Sequence, residues 1–265
     1  MYKISKFANT THMMENLDLK NDFERALKSN EFHVFLQPKF DSKTEKLVGA
    51  EALVRRIKDG KIFMPDSFIP IYEQNGLIER LDFYVLEKVC STLQKWKESD
   101  FSITISVNES AKHLSNEHHG QDLLKLLSKY DISPNLIELE VTESAVIQNI
   151  KVAQKAHARI HELGFITSMD DFGVGYSSFS MLKNVPIDVL KIDKSFLDGL
   201  LTNRRFQIIL ESIVDMAHKL KMTTVMEGVE TLPEVEYLKE IGIDILQGYY
   251  FSKPILIIEF ERRYL

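Results

Sequence analysis

Cysteine is almost absent: Cys90 is the single thiol in 265 residues. One thiol excludes an intramolecular disulfide framework and suits a reducing compartment. Tryptophan is equally scarce at one residue, and seven prolines and eleven glycines leave no Pro/Gly-rich linker to divide the chain. Long apolar runs are missing too. The longest stretch free of Asp, Glu, Lys and Arg runs from Phe172 to Leu182, 11 residues rich in Gly and Ser. A membrane helix needs about 18 or more apolar residues, so no direct membrane segment is expected. Met1 to Met14 lacks the apolar centre of a signal peptide, which leaves a cytoplasmic protein as the expectation. Positive charge is in deficit: 33 Lys and Arg stand against 39 Asp and Glu, a net charge of −6. That balance argues against holding DNA through the overall field. A small anionic ligand stays compatible if cations reverse the charge locally.

What is present fits a large soluble core, with 44% hydrophobic and 27% charged residues. Residues 1–16 have weak periodicity and read as an N-terminal arm or linker remnant; 17–265 read as one unit. From Leu17 short apolar runs alternate with helical stretches. The runs fall at 33–40, 46–55, 102–110, 136–144, 165–173, 188–195, 223–230 and 244–252, which gives eight candidate strands. Between them, Leu81, Val85, Val89, Leu93 and Trp96 recur at helical spacing. Val152, Ala156, Ile160 and Leu163 do the same, with Gly164 as a C-terminal cap, and Phe206, Leu210, Ile213, Ala217 and Leu220 form a third stripe. Pro233 opens a further helix that Gly242 ends, and helices also fit 18–29 and 120–130. Strands alternating with helices imply a largely parallel, helix-covered sheet of the α/β class. Eight such units point to a (β/α)8 TIM-like barrel of about 250 residues, with a doubly wound open sheet as the alternative.

The apolar runs share an uncommon feature: most carry a carboxylate, amide or ammonium. Glu51, Asn108, Glu140, Asp170 with Asp171, Lys191, Glu227 and Gln247 sit at matching places in successive runs. From Asn108 onward they recur every 20–36 residues, each close to one strand–helix unit. In a (β/α)8 barrel the C-terminal strand ends converge on one mouth, so these residues would meet. Five carboxylates there would repel, so either their pKa values rise or cations bind. An all-oxygen set without His or Cys suits hard cations such as Mg2+, Mn2+ or Ca2+. Asp170 and Asp171 could let one carboxylate bridge two ions, an arrangement common in phosphoester hydrolysis. Lys191 suits a metal-bound water or a phosphate oxygen.

Each of these acids alone has a plain alternative as a solvated strand end or helix cap, and Glu143 with Ser144 fits a helix start as well as catalysis. The repeating register is what favours function. His113, His118 and His119 lie in a polar segment, read as surface residues, and lack an HExxH partner for zinc. Cys90 and the scattered methionines read as core. GVGYSS is no phosphate-binding P-loop, because no GK[ST] follows.

The motifs FLQPKF, GAEALVRR with Glu51-Ala52-Leu53, PDSFIPIYEQNGLIERLD, ISVNESAKHL, IELEVTES, MDDFGVGYSSFSMLKNVPIDVLKIDKSF, MEGVET and LQGYYFSKP follow one another over about residues 18–262. In this ordered series the chain resembles the EAL-domain cyclic-di-GMP phosphodiesterases. The resemblance implies a modified barrel whose first strand runs against the others. It implies two divalent cations, Mg2+ or Mn2+, with Ca2+ inhibitory. Glu51, Asn108, Glu140 and Asp170 match the ligands of one ion; Asp170, Asp171 and Glu227 match the second. Lys191 matches the lysine that holds the attacking water, and Gln247 the glutamine that supports the metal–water network, so Glu51, Lys191, Glu227 and Gln247 form the implied catalytic set. Gln37, Leu53, Arg55, Asn108, Asp170, Lys191 and Glu230 match substrate-contacting positions. Glu143, with Phe172 and Gly173, matches the support of the DDFG loop, called loop 6 in this family, which with the adjacent helix forms the usual homodimer contact. The implied reaction opens one phosphodiester bond of cyclic di-GMP and gives linear pGpG. An upstream GGDEF, PAS or other regulatory domain often accompanies such domains.

Departures from the family pattern are few. Arg56 stands where Trp is frequent, Lys39-Phe40 replaces a more aliphatic pair, Val174 replaces Thr, and Phe179 replaces Leu. Two other readings stand beside the enzyme: a non-catalytic cyclic-di-GMP receptor acting through a protein partner, and an interaction module without nucleotide. Degenerate receptors usually lack one of the acids, and none is missing here.

Overall fold

The computed structural model describes residues 18–147, 149–174 and 182–265; the 1–16 arm and most of GVGYSS lie outside them. Helix α1 (18–28) precedes β1 (Phe32–Asp41), β2 (Leu47–Lys58) and the short β3 (Lys61–Phe63). Next come α2 (Ile69–Gln74), α3 (Ile78–Lys97), β4 (Thr104–Asn108), α4 (His119–Lys129) and β5 (Ile137–Thr142). Then follow α5 (Glu143–Ile147), α6 (Ile150–Glu162), β6 (Ile166–Phe172), β7 (Val189–Ile192), α7 (Arg204–Lys219) and β8 (Thr223–Met226). The chain closes with α8 (Leu232–Glu240), β9 (Ile245–Leu246), β10 (Ile255–Leu256) and α9 (Ile257–Tyr264).

Strands β2, β4, β5, β6, β7, β8 and β9 pair in parallel, each with the next. β1 pairs antiparallel with β2 on one side and with β9 on the other, which closes eight strands into a barrel. The eight expected strands are all present, and the open-sheet alternative is excluded by this closure. β3 extends β2 as a hairpin and β10 covers the free part of β1. These two strands and α9 are too short for their pattern to stand out in the sequence.

The expected helical stripes face the barrel unevenly: on α6 Ile160 is the one fully buried member of its stripe, and the buried face runs through Ala153, His157 and Ile160. Leu81, Val85, Val89, Leu93 and Trp96 of α3 are buried, and Trp96 stacks on Phe260 of α9 at 5.5 Å. On α7 the centre of the stripe is buried, but its ends, Phe206 and Leu220, are exposed. Helix α8 has Pro233 in its first turn, where the sequence places it, and opens with a Thr231/Glu234 capping box. Cys90, Met169, Met222 and Met226 are core, whereas Met64 is exposed.

Arg56 has a clear structural reason. Its guanidinium lies 2.6 Å from Asp22 of α1 and 2.7 Å from Glu31, and over the ring of Phe32. It thereby clamps α1 to the barrel beside a cluster of Phe23, Phe32, Phe68 and Tyr72.

Candidate active site

The strand ends do converge. Lys191 on β7 is fully buried, and its Nζ lies 2.8 Å from Glu140 Oε2, 2.9 Å from Asp170 Oδ1, 2.9 Å from Glu227 Oε1 and 3.7 Å from Glu51 Oε2. These acids come from β5, β6, the end of β8 and β2, so the set exists only once the barrel has closed. The Asn108 carboxamide donates to Glu51 Oε1 at 3.1 Å. Gln247 Nε2 donates to Glu51 Oε2 at 2.6 Å and to Gln37 Oε1 at 3.2 Å. Gln37 in turn donates to the Ser252 carbonyl at 3.3 Å. Gln247 reaches this position because Gly248 follows it: a Cβ there would fall 2.1 Å from the Val229 carbonyl oxygen.

Two consecutive acids cannot both face the mouth of a regular strand, because side chains alternate. A bulge solves this. Met169 pairs with Leu190 and Phe172 with Ile192, so β6 carries one extra residue across Asp170–Asp171. Asp171 takes a left-handed backbone, φ 57°. Asp170, Asp171 and Glu227 each offer an oxygen, all within 4.8 Å of one another. The bulge is held from below by Glu143 at the start of α5, whose Oε2 accepts the Gly173 N–H at 3.1 Å. Glu143 thus stands at a helix start and also accepts a hydrogen bond from the DDFG segment. Gly173 has φ 98°, and a Cβ there would strike the half-buried ring of Phe196 at 2.3 Å.

The charges are unbalanced. Burial pushes the carboxyls of Glu51, Asp170 and Asp171 above their ordinary range, and Glu227 up to about 8. Burial also presses on Glu140, but the ammonium groups of Lys191 and Lys39 outweigh it and hold its carboxyl down at about 2. Burial opposes the charge on Lys191 as well, and the surrounding carboxylates more than offset it. A buried Gln247 Oε1 has no hydrogen-bond partner among the described residues. Excess carboxylate, an orphan acceptor and an all-oxygen donor set fit hard divalent cations.

Of the other sequence-named positions, Arg55 is half-buried at the rim with its guanidinium on the Val54 carbonyl, and Leu53 is partly buried beside it. Phe172 is buried. Glu230 is exposed; its backbone N–H is bound by Glu234, and its carboxylate makes no hydrogen bond or ion pair among the described residues. Lys39, marked in the sequence only as a departure from an aliphatic pair, and Glu138, unmarked there, are both buried beneath the mouth. Two histidines depart from the surface placement expected of them. His118 is exposed, but His113 and His119 are buried, stacked at 4.2 Å, and bound to Asp82 at 3.0 Å and Glu109 at 2.6 Å. Their carboxylate partners lie on α3 and just beyond β4, so the local polarity of the segment gave no hint of burial.

The family model described as EAL domain matches residues 20–254. A signaling protein of Bacillus subtilis, YkoW, is 35% identical over 98% of this chain and 33% of its own length. The cyclic di-GMP phosphodiesterase NbdA of Pseudomonas aeruginosa is 33% identical over 93% of this chain and 32% of its own length. The chain therefore spans about a third of these curated relatives. Among solved structures, an EAL domain protein from Listeria monocytogenes is 33% identical with a TM-score of 0.81, covering 91% of this chain and 95% of that one. The PaMucR phosphodiesterase in complex with c-di-GMP is 29% identical with a TM-score of 0.85, covering 92% and 99%.

Proposed function

The chain belongs to the EAL domain family, and we propose that it hydrolyses cyclic di-GMP to linear pGpG with the help of two divalent cations. The observation that carries this reading is the meeting of Glu51, Glu140, Asp170 and Glu227 around one buried ammonium, with Asp171 beside them. Glu51, Asn108, Glu140 and Asp170 would hold one ion, and Asp170, Asp171 and Glu227 the other. Bound there, such ions supply charge neutralisation at phosphate and acidify a coordinated water.

The chain's own residues do the rest. A water oxygen attacks phosphorus in line, and the opposite P–O3′ bond breaks, leaving a 3′-hydroxyl and a 5′-phosphate. Lys191 donates toward that water or a non-bridging oxygen, which orients the attack and offsets developing charge. Gln247 and Asn108 lock the Glu51 carboxylate from two sides. Gln37, Leu53 and Arg55 line the approach for a dianionic dinucleotide, with the Arg55 guanidinium placed to meet phosphate; Glu230 would contact the ligand from the α8 side. Glu143, Phe172 and Gly173 keep the bulge, and so Asp170 and Asp171, in place. The exposed Phe206, Ile208 and Ile209 on α7 support the accompanying proposal of a homodimer that includes the DDFG loop. Residues 17–265 would carry the activity in the cytoplasm. No helix among the described residues is long and apolar enough to cross a membrane.

The test is a timed incubation with cyclic di-GMP and Mg2+ or Mn2+, resolved by chromatography, with Ca2+ and metal-free controls. Appearance of pGpG that depends on Mg2+ or Mn2+ and is lost in Glu51→Ala is the expected result. Saturable nucleotide binding without product would replace the enzyme with a receptor.

A further inference from the structure

The interior of a (β/α)8 barrel is ordinarily packed with apolar layers. Here the layer beneath the mouth is charged. Lys39 sits two residues after Gln37 on β1, on the same inner face. It is 2% exposed, opposite Gly49 on β2, where an added Cβ would crowd the Thr104 carbonyl at 2.9 Å and merely touch the lysine stem at 3.8 Å. Its Nζ lies 3.1 and 3.2 Å from the two oxygens of Glu138 and 3.2 Å from Glu140 Oε1. Glu140 is thus gripped at both oxygens: Oε1 by Lys39 from below, Oε2 by Lys191 from the mouth. Glu138 has Lys39 as its one ion-pair partner among the described residues, and is itself buried.

Stability does not account for this arrangement. A buried ion pair is often no better than well-packed apolar side chains of the same volume, because desolvation consumes the Coulombic gain. A methionine on β1 would fill the same space. What methionine cannot do is fix one oxygen of Glu140.

We propose that Lys39, anchored by Glu138, is a positioning residue: it fixes the rotation of the Glu140 carboxylate so that Oε2 alone is presented to Lys191 and to a bound cation. The catalytic part of this inference rests on the phosphodiesterase reading above; the cation-binding part can be read without turnover.

The test is the double variant Lys39→Met/Glu138→Gln, which removes one charge of each sign and keeps both volumes. Thermal unfolding checks the fold. Mn2+ titration followed by electron paramagnetic resonance reads the site directly, and steady-state kinetics separate kcat from KM. With positioning lost, the folded double variant should need about tenfold more Mn2+ for half-saturation and lose about tenfold in kcat, with KM for the cyclic dinucleotide little changed. A folded double variant with wild-type Mn2+ binding and kcat overturns the proposal. Should that variant not fold, the isosteric Glu138→Gln decides: raised Mn2+ requirement supports the role, and wild-type binding overturns it. A wild-type protein that binds Mn2+ but cleaves nothing overturns the phosphodiesterase reading, and the Mn2+ comparison still decides the role of Lys39.

Discussion

Two buried networks of titratable side chains flank the end of β4, and they are built on opposite rules. On the inner side, from Asn108, four carboxylates surround the Lys191 ammonium with the exposed Asp171 beside them, and Lys39 reaches one of the four, Glu140, from its anchor on Glu138. On the outer side, one residue later, Glu109 pairs with His119 and Asp82 with His113, and the two imidazoles stack. Burial pushes Glu109 up, but His119 outweighs it and its carboxyl lies below the usual range. Burial of acids is therefore no mark of function by itself. Each outer carboxylate has an imidazole within hydrogen-bond distance, and these pairs complete the fold. The inner set has surplus negative charge that the protein alone does not neutralise, and surplus of that kind calls for a cationic ligand.

The contrast is broken most severely at its centre. Lys191→Met should lower turnover about 10³-fold, roughly 4 kcal/mol of transition-state stabilisation, measured as pGpG release at saturating Mg2+ or Mn2+. Turnover close to wild type would remove Lys191 from the mechanism. The matching lesion on the outer side is His119→Phe. The new ring still stacks on His113, but Glu109 is left buried without its partner. Denaturant unfolding should show a loss of about 3 kcal/mol or more, while the folded variant keeps its turnover. A large loss of turnover with intact stability would abolish the distinction between the two networks.

The outer side also predicts a pH effect. His157 on α6 is buried, neither ring nitrogen has a hydrogen-bond partner among the described residues, and burial pushes it down from 6.5 to about 4. A histidine with a depressed folded pKa contributes stability above pH 6.5, and that contribution is lost as pH falls from 6.5 toward 4. The drop corresponds to about 3 kcal/mol, so His157→Leu should flatten the stability profile over that window by a comparable amount. His113 works in the opposite sense: burial opposes its charge, but Asp82 outweighs it and its pKa is raised. Its contribution is present below 6.5 and lost as pH rises through the folded value, so the difference between wild type and His157→Leu isolates the first effect. The smallest expected change is Glu143→Gln, which weakens the grip on the Gly173 N–H. It should cut kcat about tenfold and raise the metal requirement without unfolding the protein, read from the same kinetic assay. Wild-type kinetics would leave the bulge independent of Glu143.

The positions of Glu51, Asn108, Glu140, Asp170, Lys191, Glu227 and Gln247 were legible because they share one register in eight repeated units, and a barrel turns register into proximity. The direction of β1 was not legible from periodicity, which carries no sign; it came from the resemblance to a known family. The histidine pairs were hidden because Asp82, on α3, lies far along the chain from His113, and because His113 and His119 have no common helical face. Lys39 was visible only as a departure from an aliphatic pattern. Its meaning needed the inner face of β1, where alternation from Gln37 would have placed it.

The bulge across Asp170–Asp171 has one more consequence. Deleting Asp171 would restore uninterrupted pairing between β6 and β7 and relieve a backbone angle that side-chain-bearing residues rarely adopt. The resulting sheet would be more regular and the mouth would hold one acid fewer. At this point in the barrel, what improves the scaffold spoils the instrument, so a redesign guided by sheet regularity alone would edit out the chemistry.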